Sequence, residues 1–230
     1  MVISALNLGI IIQARMGSAR LPGKILKQVH NRTLLGHVLF RLSHLKHDTR
    51  VIVATTDSKK DDVVESFCAE RKVHCFRGSE DNVLERYFLC AKHYGFTQIV
   101  RLTADNPFTD IEALEQLIDF HLKSVADFSH SFRSLPIGVG AEIFSFDALE
   151  ASYREGKEPH HLEHVDEYLL ENPARFKTVE LQINGERKRP NIRLTVDTED
   201  DYQRASFIAK HAADELITTE EAISLCSQFA

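Results

Sequence analysis

No apolar run in this chain approaches the roughly 20 residues that a bilayer crossing needs. The N-terminus also lacks the basic stretch followed by an apolar run that marks a secretory leader. Cysteine is sparse: Cys68, Cys75, Cys90 and Cys226 are the only four, and none are paired as CxxC, so neither a metal ribbon nor a dithiol redox motif is indicated. Cys68 and Cys90 fall on apolar helical positions, as reduced core thiols do. These absences predict a cytoplasmic protein. Positive charge is in deficit, with 28 Lys and Arg against 34 Asp and Glu and a net charge of −6. The basic residues are dispersed rather than gathered into a stripe, which argues against nucleic acid as a partner. There is no internal repeat, low-complexity tract or linker, only turn-rich stretches near 135–140 and 184–190. The 230 residues therefore read as one domain, 1–230, with ample core.

The segment LGIIIQARMGSARLPGK ending at Lys24 is the most informative one present. Its apolar, β-branched start reads as a strand covered on both faces, and the loop that follows opens at the C-terminal end of that strand, where open α/β sheets bind ligands. Arg15, Arg20 and Lys24 supply cationic side chains there, and Gly17 and Gly23 allow backbone N–H groups close to an anion. The pattern suits a triphosphate but matches neither GxGxxG nor GxxxxGK[ST]. An ordinary charged surface loop beside a core strand fits the same residues.

Further along, leucines and valines from Leu34 to Leu45 recur at helical spacing, and RVIVATT (50–56) reads as a second buried strand. A helix around Val63–Cys68, a strand VHCF, a helix over 83–94 and a strand QIVRLTAD continue the alternation. The pattern predicts a three-layer α/β/α sandwich. The second half is less regular: helix over 111–122, strand AEIFSF, helix over 160–170, strands KTVELQI and NIRLTVD, and two closing helical segments. Asp105 ends QIVRLTAD and Asp197 ends NIRLTVD, so both carboxylates are expected beside the loop of Lys24, where they could share a magnesium ion. Helix capping accounts for either residue equally well.

Six strings, IIIQARMGSARLPGKIL, RGSEDNVLERY, RLTADNPFTD, GAEIFSFDALE, LEHVDEYLLENP and RLTVDTEDDY, follow one another as in the cytidylyltransferase family. The chain resembles CMP-Kdo and CMP-sialic acid synthetases, and most of all the branch typified by spore coat polysaccharide biosynthesis protein F. The resemblance implies a Rossmann-like, glycosyltransferase-A-like nucleotidyltransferase sandwich with a mostly parallel mixed sheet. It also implies a homodimer, magnesium, CTP as donor and an acidic sugar or related acceptor, in surface polysaccharide synthesis. Carried over, it places the Ala14 backbone and Arg15, Gly17, Ser18, Arg20 and Lys24 around the triphosphate. Lys24 would lie nearest the reacting phosphate, with Arg15 and Asp105 beside it in catalysis. Ser79, Asp81 and Asn82 would hold base and ribose, although EDNVLER also reads as a capped helix start. Asp105 and Asp197 match the metal-binding aspartates.

Two departures stand out: Gly140 lies where many relatives carry an aspartate, and Glu199 replaces the proline of the usual VDTPEDL. Glu142, His164 and Arg193 are the candidate acceptor contacts, and each also reads as a solvated residue. His160, His161 and His164 invite a zinc reading, but a third ligand and supporting contacts would be needed. A glycosyltransferase on the same fold is disfavoured, because Ala104, Asp105 and Asn106 make no DxD string. A silent nucleotide-binding subunit, or transfer of another nucleotide, stays open.

Overall fold

Ile10, Ile11 and Ile12 are all fully buried because strand β1 (Leu8–Gln13) is covered on both sides. Each such side chain contributes about 1.5–3 kcal/mol of transfer free energy, which fixes the strand at the centre of the molecule. The structure, a computed structural model, describes residues 6–229. After β1 come a short hairpin of β2 (Gln28–Val29) and β3 (Arg32–Thr33), helix α1 (Leu34–Leu42), β4 (Arg50–Thr56) and α2 (Asp62–Glu70). Next are β5 (His74–Gly78), α3 (Val83–Tyr94), β6 (Gln98–Thr103), α4 (Ile111–Ser124), β7 (Phe128–His130), β8 (Glu142–Ser145) and α5 (Phe146–Glu155). Then α6 (Pro159–Glu163), α7 (Glu167–Glu171), β9 (Thr178–Glu180), α8 (Glu199–His211) and α9 (Thr219–Cys226) close the chain.

Seven strands form one sheet in the order β5-β4-β1-β6-β8-β7-β9. Only β8 runs against the others, pairing antiparallel with both β6 and β7. Ile10 and Ile12 point into a core shared with α1, α2 and α4, while Ile11 points into one shared with α3, α5 and α7. The three-layer sandwich with a mostly parallel mixed sheet is therefore present.

Three expectations for the second half need correction. NIRLTVD is not a strand of the sheet: Arg193 makes a single parallel bridge to Ile137, and the remaining backbone bonds go to loops, as from Val196 N to the Asp105 carbonyl at 3.0 Å. Its apolar alternation is satisfied instead by a third core with α8 and α9, where Leu194 and Val196 are buried. The helix expected over 160–170 is broken into α6 and α7, with His164 extended between them. Glu171 bonds His160 and His161 at 2.8 Å each, whereas one continuous helix would hold residues ten apart at about 15 Å. KTVELQI shrinks to the three residues of β9, and β7 is an additional strand.

Candidate active site

The loop after β1 is held from beneath. Ala14 N donates to the Ala54 carbonyl of β4 at 3.1 Å, and Met16 N to Asp61 Oδ1 at 2.8 Å. Asp61 is buried and also accepts from Thr55 Oγ1, Thr56 N and Thr56 Oγ1. Burial pushes this carboxyl up, but those hydrogen bonds outweigh it and hold the group below the ordinary carboxylate range. Gly23, at φ 69°, turns the chain into a short 3-10 helix (Lys24–Leu26) that brings Lys24 inward.

Lys24 is the hub. Its ammonium donates to Asp105 Oδ2 at 2.6 Å, Asp197 Oδ1 at 2.8 Å and the Val196 carbonyl at 2.8 Å, which uses all three protons. Arg20 lies 3.1 Å from Asp197, and Arg193 bonds the other oxygen of that carboxylate. Burial pushes Asp197 up, yet Lys24, Arg20 and Arg193 together hold it below the ordinary range. Asp201 accepts from Asp197 N and Thr198 N, so the start of α8 fixes the loop that carries Asp197.

These groups surround a cavity of about 390 Å³ at the C-terminal edge of β1 and β6. Arg15, Gly17, Ser18, Arg20, Lys24, Asp105, Asp197 and His164 all line it. Gln13, Thr103 and Glu163 line it too, although sequence reasoning did not single them out. Such a site, basic on one side and carboxylate-bearing on the other, can neutralise a polyphosphate and orient a nucleophile against it. A second cavity, about 500 Å³ between α1, α4 and α9, has Asp110, Glu112 and Arg187 on its rim, already paired with one another.

Other expected site residues lie elsewhere or are engaged. The Ala14 amide is committed to β4, so it is not free for phosphate. Asn82 Oδ1 caps α3 by accepting from Glu85 N at 2.9 Å, Ser79 Oγ accepts from Asn82 N, and Asp81 is exposed. Glu142 is buried on β8 and paired with Arg101 at 2.7 Å rather than facing the cavity. Arg193 serves as an anchor for Asp197 and Asp201. A Cβ at Gly140 would come 3.0 Å from the Phe132 Cα, so a larger residue there needs the facing backbone to give by a few tenths of an ångström.

The three histidines do not converge on one point. His164 lines the cavity, apart from His160 and His161, which meet Glu171. His161 Nδ1 accepts from Glu158 N at 3.2 Å, so its ring proton sits on Nε2 and is donated to Glu171, leaving no lone pair there for a metal.

Asp61 carried no legible signal, because the amide it holds is 45 residues away. The link of Asp201 to Thr198 was readable as a capping box.

Comparison with known proteins agrees with this geometry. The sequence profile of the cytidylyltransferase family matches residues 9–223. The spore coat polysaccharide biosynthesis protein SpsF of Bacillus subtilis (strain 168) is 34% identical over 220 residues, 90% of this chain and 91% of that protein. A 3-deoxy-manno-octulosonate cytidylyltransferase of Aeromonas salmonicida (strain A449) is 31% identical over 146 residues, 61% of this chain and 55% of that protein. The solved structure of a cytidylyltransferase from Leptospira borgpetersenii serovar Hardjo-bovis (strain JB197) superposes with a TM-score of 0.89 at 34% identity, covering 97% of this chain and 94% of its own. This chain belongs to the cytidylyltransferase family and is a CTP-dependent nucleotidyltransferase.

Proposed function

We propose that the enzyme transfers CMP from CTP to an acidic sugar or a related anionic acceptor, releasing pyrophosphate, as a homodimer in surface polysaccharide synthesis. The observation that carries this reading is the convergence of Arg15, Arg20 and Lys24 with Asp105 and Asp197 around one cavity. The similarity to a spore coat polysaccharide protein and to an octulosonate cytidylyltransferase supports the acceptor class.

An acceptor oxygen attacks the α-phosphorus of CTP as the bond to the pyrophosphate oxygen breaks, and the electron pair leaves with pyrophosphate. Charge builds along the whole triphosphate, so Arg15 and Arg20 act by neutralising it without moving a proton.

The residues fit magnesium. Asp105 Oδ2, Asp197 Oδ1 and the Val196 carbonyl converge on one point, filled by the Lys24 ammonium, and an all-oxygen set is what this cation takes. Asp105 and Asp197 would hold the ion, which when bound supplies positive charge to the transferred phosphoryl group. With the carboxylates so engaged, the Lys24 ammonium would be free to donate to phosphate oxygens.

The test is magnesium-dependent pyrophosphate release from CTP, with ATP, GTP and UTP in parallel, against keto-sugar acids, sugar phosphates and phosphonates. Release confined to CTP with an acidic acceptor is expected. Release that prefers another nucleotide, or that needs only a neutral sugar, overturns the reading. Light scattering decides the dimer.

A further inference from the structure

Arg86 on α3 is fully buried, yet its guanidinium is only partly used. Nη1 donates to the Ser79 carbonyl, while Nε and Nη2 have no partner among the described residues. Those two N–H groups form one edge of the guanidinium, a pair of parallel donors that takes two adjacent acceptors at once. Burying a cation with that edge empty is costly, and a leucine or methionine would fill the same space without the penalty.

The edge belongs to the nucleotide end of the fold. A Cβ at Gly78, where β5 ends, would lie 3.2 Å from Arg86 Cγ, and the charge of Arg15, a residue of the cavity wall, acts on the guanidinium. Gln13, on the same wall, has a second buried and unpartnered atom, the acceptor Oε1. Of the residues that sequence reasoning offered for the base, Asn82 Oδ1 is used on its cap and Ser79 Oγ on Asn82 N, while Asp81 stands exposed.

Resting on the reading of this cavity as a CTP site, the geometry points to Arg86 and Gln13 as the residues that read the base. Arg86 Nε and Nη2 donate to O2 and N3 of cytosine, and Gln13 Oε1 accepts from the 4-amino group. Cytosine presents donor, acceptor, acceptor along that edge; uracil presents acceptor, donor, acceptor. Gln13 can turn its amide over to meet uracil O4, but Arg86 has no acceptor to offer the uracil N3–H, so Arg86 carries the discrimination. The turn from Gly78 to Asn82 covers the fork and leans on the phosphate loop, with Glu80 Oε1 3.4 Å from where a Gly17 Cβ would be. Because Arg86 Nε and Nη2 are buried, seating the base requires this turn to lift.

Calorimetric binding of CTP and of UTP, with magnesium and without any acceptor, tests this on the wild type, Arg86→Met, Arg86→Lys and Gln13→Ala. Wild type is expected to prefer CTP. Arg86→Met is expected to weaken CTP by roughly tenfold or more while leaving UTP within about threefold, the scale of one lost bidentate contact. Gln13→Ala, which removes an amide able to meet either base, is expected to weaken CTP and UTP alike, and Arg86→Lys, which keeps the charge but loses the paired donors, keeps the test open if Arg86→Met melts below the assay temperature. Equal weakening of CTP and UTP by the Arg86 variants, or binding of both left as in the wild type, overturns the base-reading role alone. A wild type that binds no CTP fails the nucleotide reading of the cavity and this role with it.

Discussion

Lys24 spends three protons on three acceptors inside the protein, and that arrangement separates its role from a surface lysine's. Lys24→Ala or Asp105→Asn is expected to lower kcat by at least about a hundredfold, the scale of losing one preorganised electrostatic group, with the fold intact. Unchanged turnover in either variant would sink their assignment. Glu142 behaves differently from the acceptor contact expected of it. Burial pushes its carboxyl up to about 7, with the Arg101 charge opposing. The native state therefore holds a proton that the unfolded chain releases from about pH 4.5, so this group loses stability for the fold as pH rises toward 7. Measured melting temperatures of Glu142→Gln, relative to wild type, should rise between pH 5 and 7.5; a constant difference would show that the carboxyl does not titrate there. That the residues of the loop after β1 and the two aspartates meet at one cavity was legible because they sit in short strings that read as strand ends. Gln13, Asp61 and Arg86 were not, since nothing in QAR, KKDD or LERY tells which distant groups they meet.

The loop carrying Asp197 shows how an element can be misread with its residues in the right place. Ile192, Leu194 and Val196 alternate as in a strand, but alternation records only that one face is buried, and here the burying surface is α8 and α9 rather than a neighbouring strand. Its backbone bonds instead to Ile137 and Asp105, so Gly138 decides how near it lies. Gly138 has φ 91°, and a Cβ there would sit 2.6 Å from Thr195 N. Gly138→Ala should cost about 1–3 kcal/mol of stability and displace Asp197, so that chemical denaturation and CTP turnover fall together. Wild-type values for both would remove the glycine from the site's support. Pro159 marks only where α6 begins; the break after Glu163 goes with the return of Glu171 onto His160 and His161, which could not be read in advance.

At the scale of the molecule, His37, His121 and His130 are buried and held toward the neutral form. Burial pushes His121 down to about 4, and burial also lowers His37 and His130. Below about pH 6.5 the unfolded chain binds protons these side chains cannot take while folded, so stability falls as pH drops from about 6.5 toward 4. Asp61, Asp197 and Asp201, held below the ordinary carboxylate range despite burial, add to the loss below about pH 4. Thermal melts across that interval should show the decline, and His121→Gln, which has no such proton to take, should show less of it; parallel curves would place the acid sensitivity elsewhere. The sequence by itself determined the alternating first half, the order of sheet and helix there, and the cationic loop with its glycines, because hydrophobic period and turn chemistry are properties of a few adjacent residues. Tertiary structure alone decided the reversed strand β8 in mid-sheet, the pairing of Glu142 with Arg101, the anchoring of Met16 by Asp61 and the meeting of Lys24 with Asp197 across 173 residues. Those contacts depend on which surfaces remain to be covered once the first strands have packed, and no local pattern encodes that.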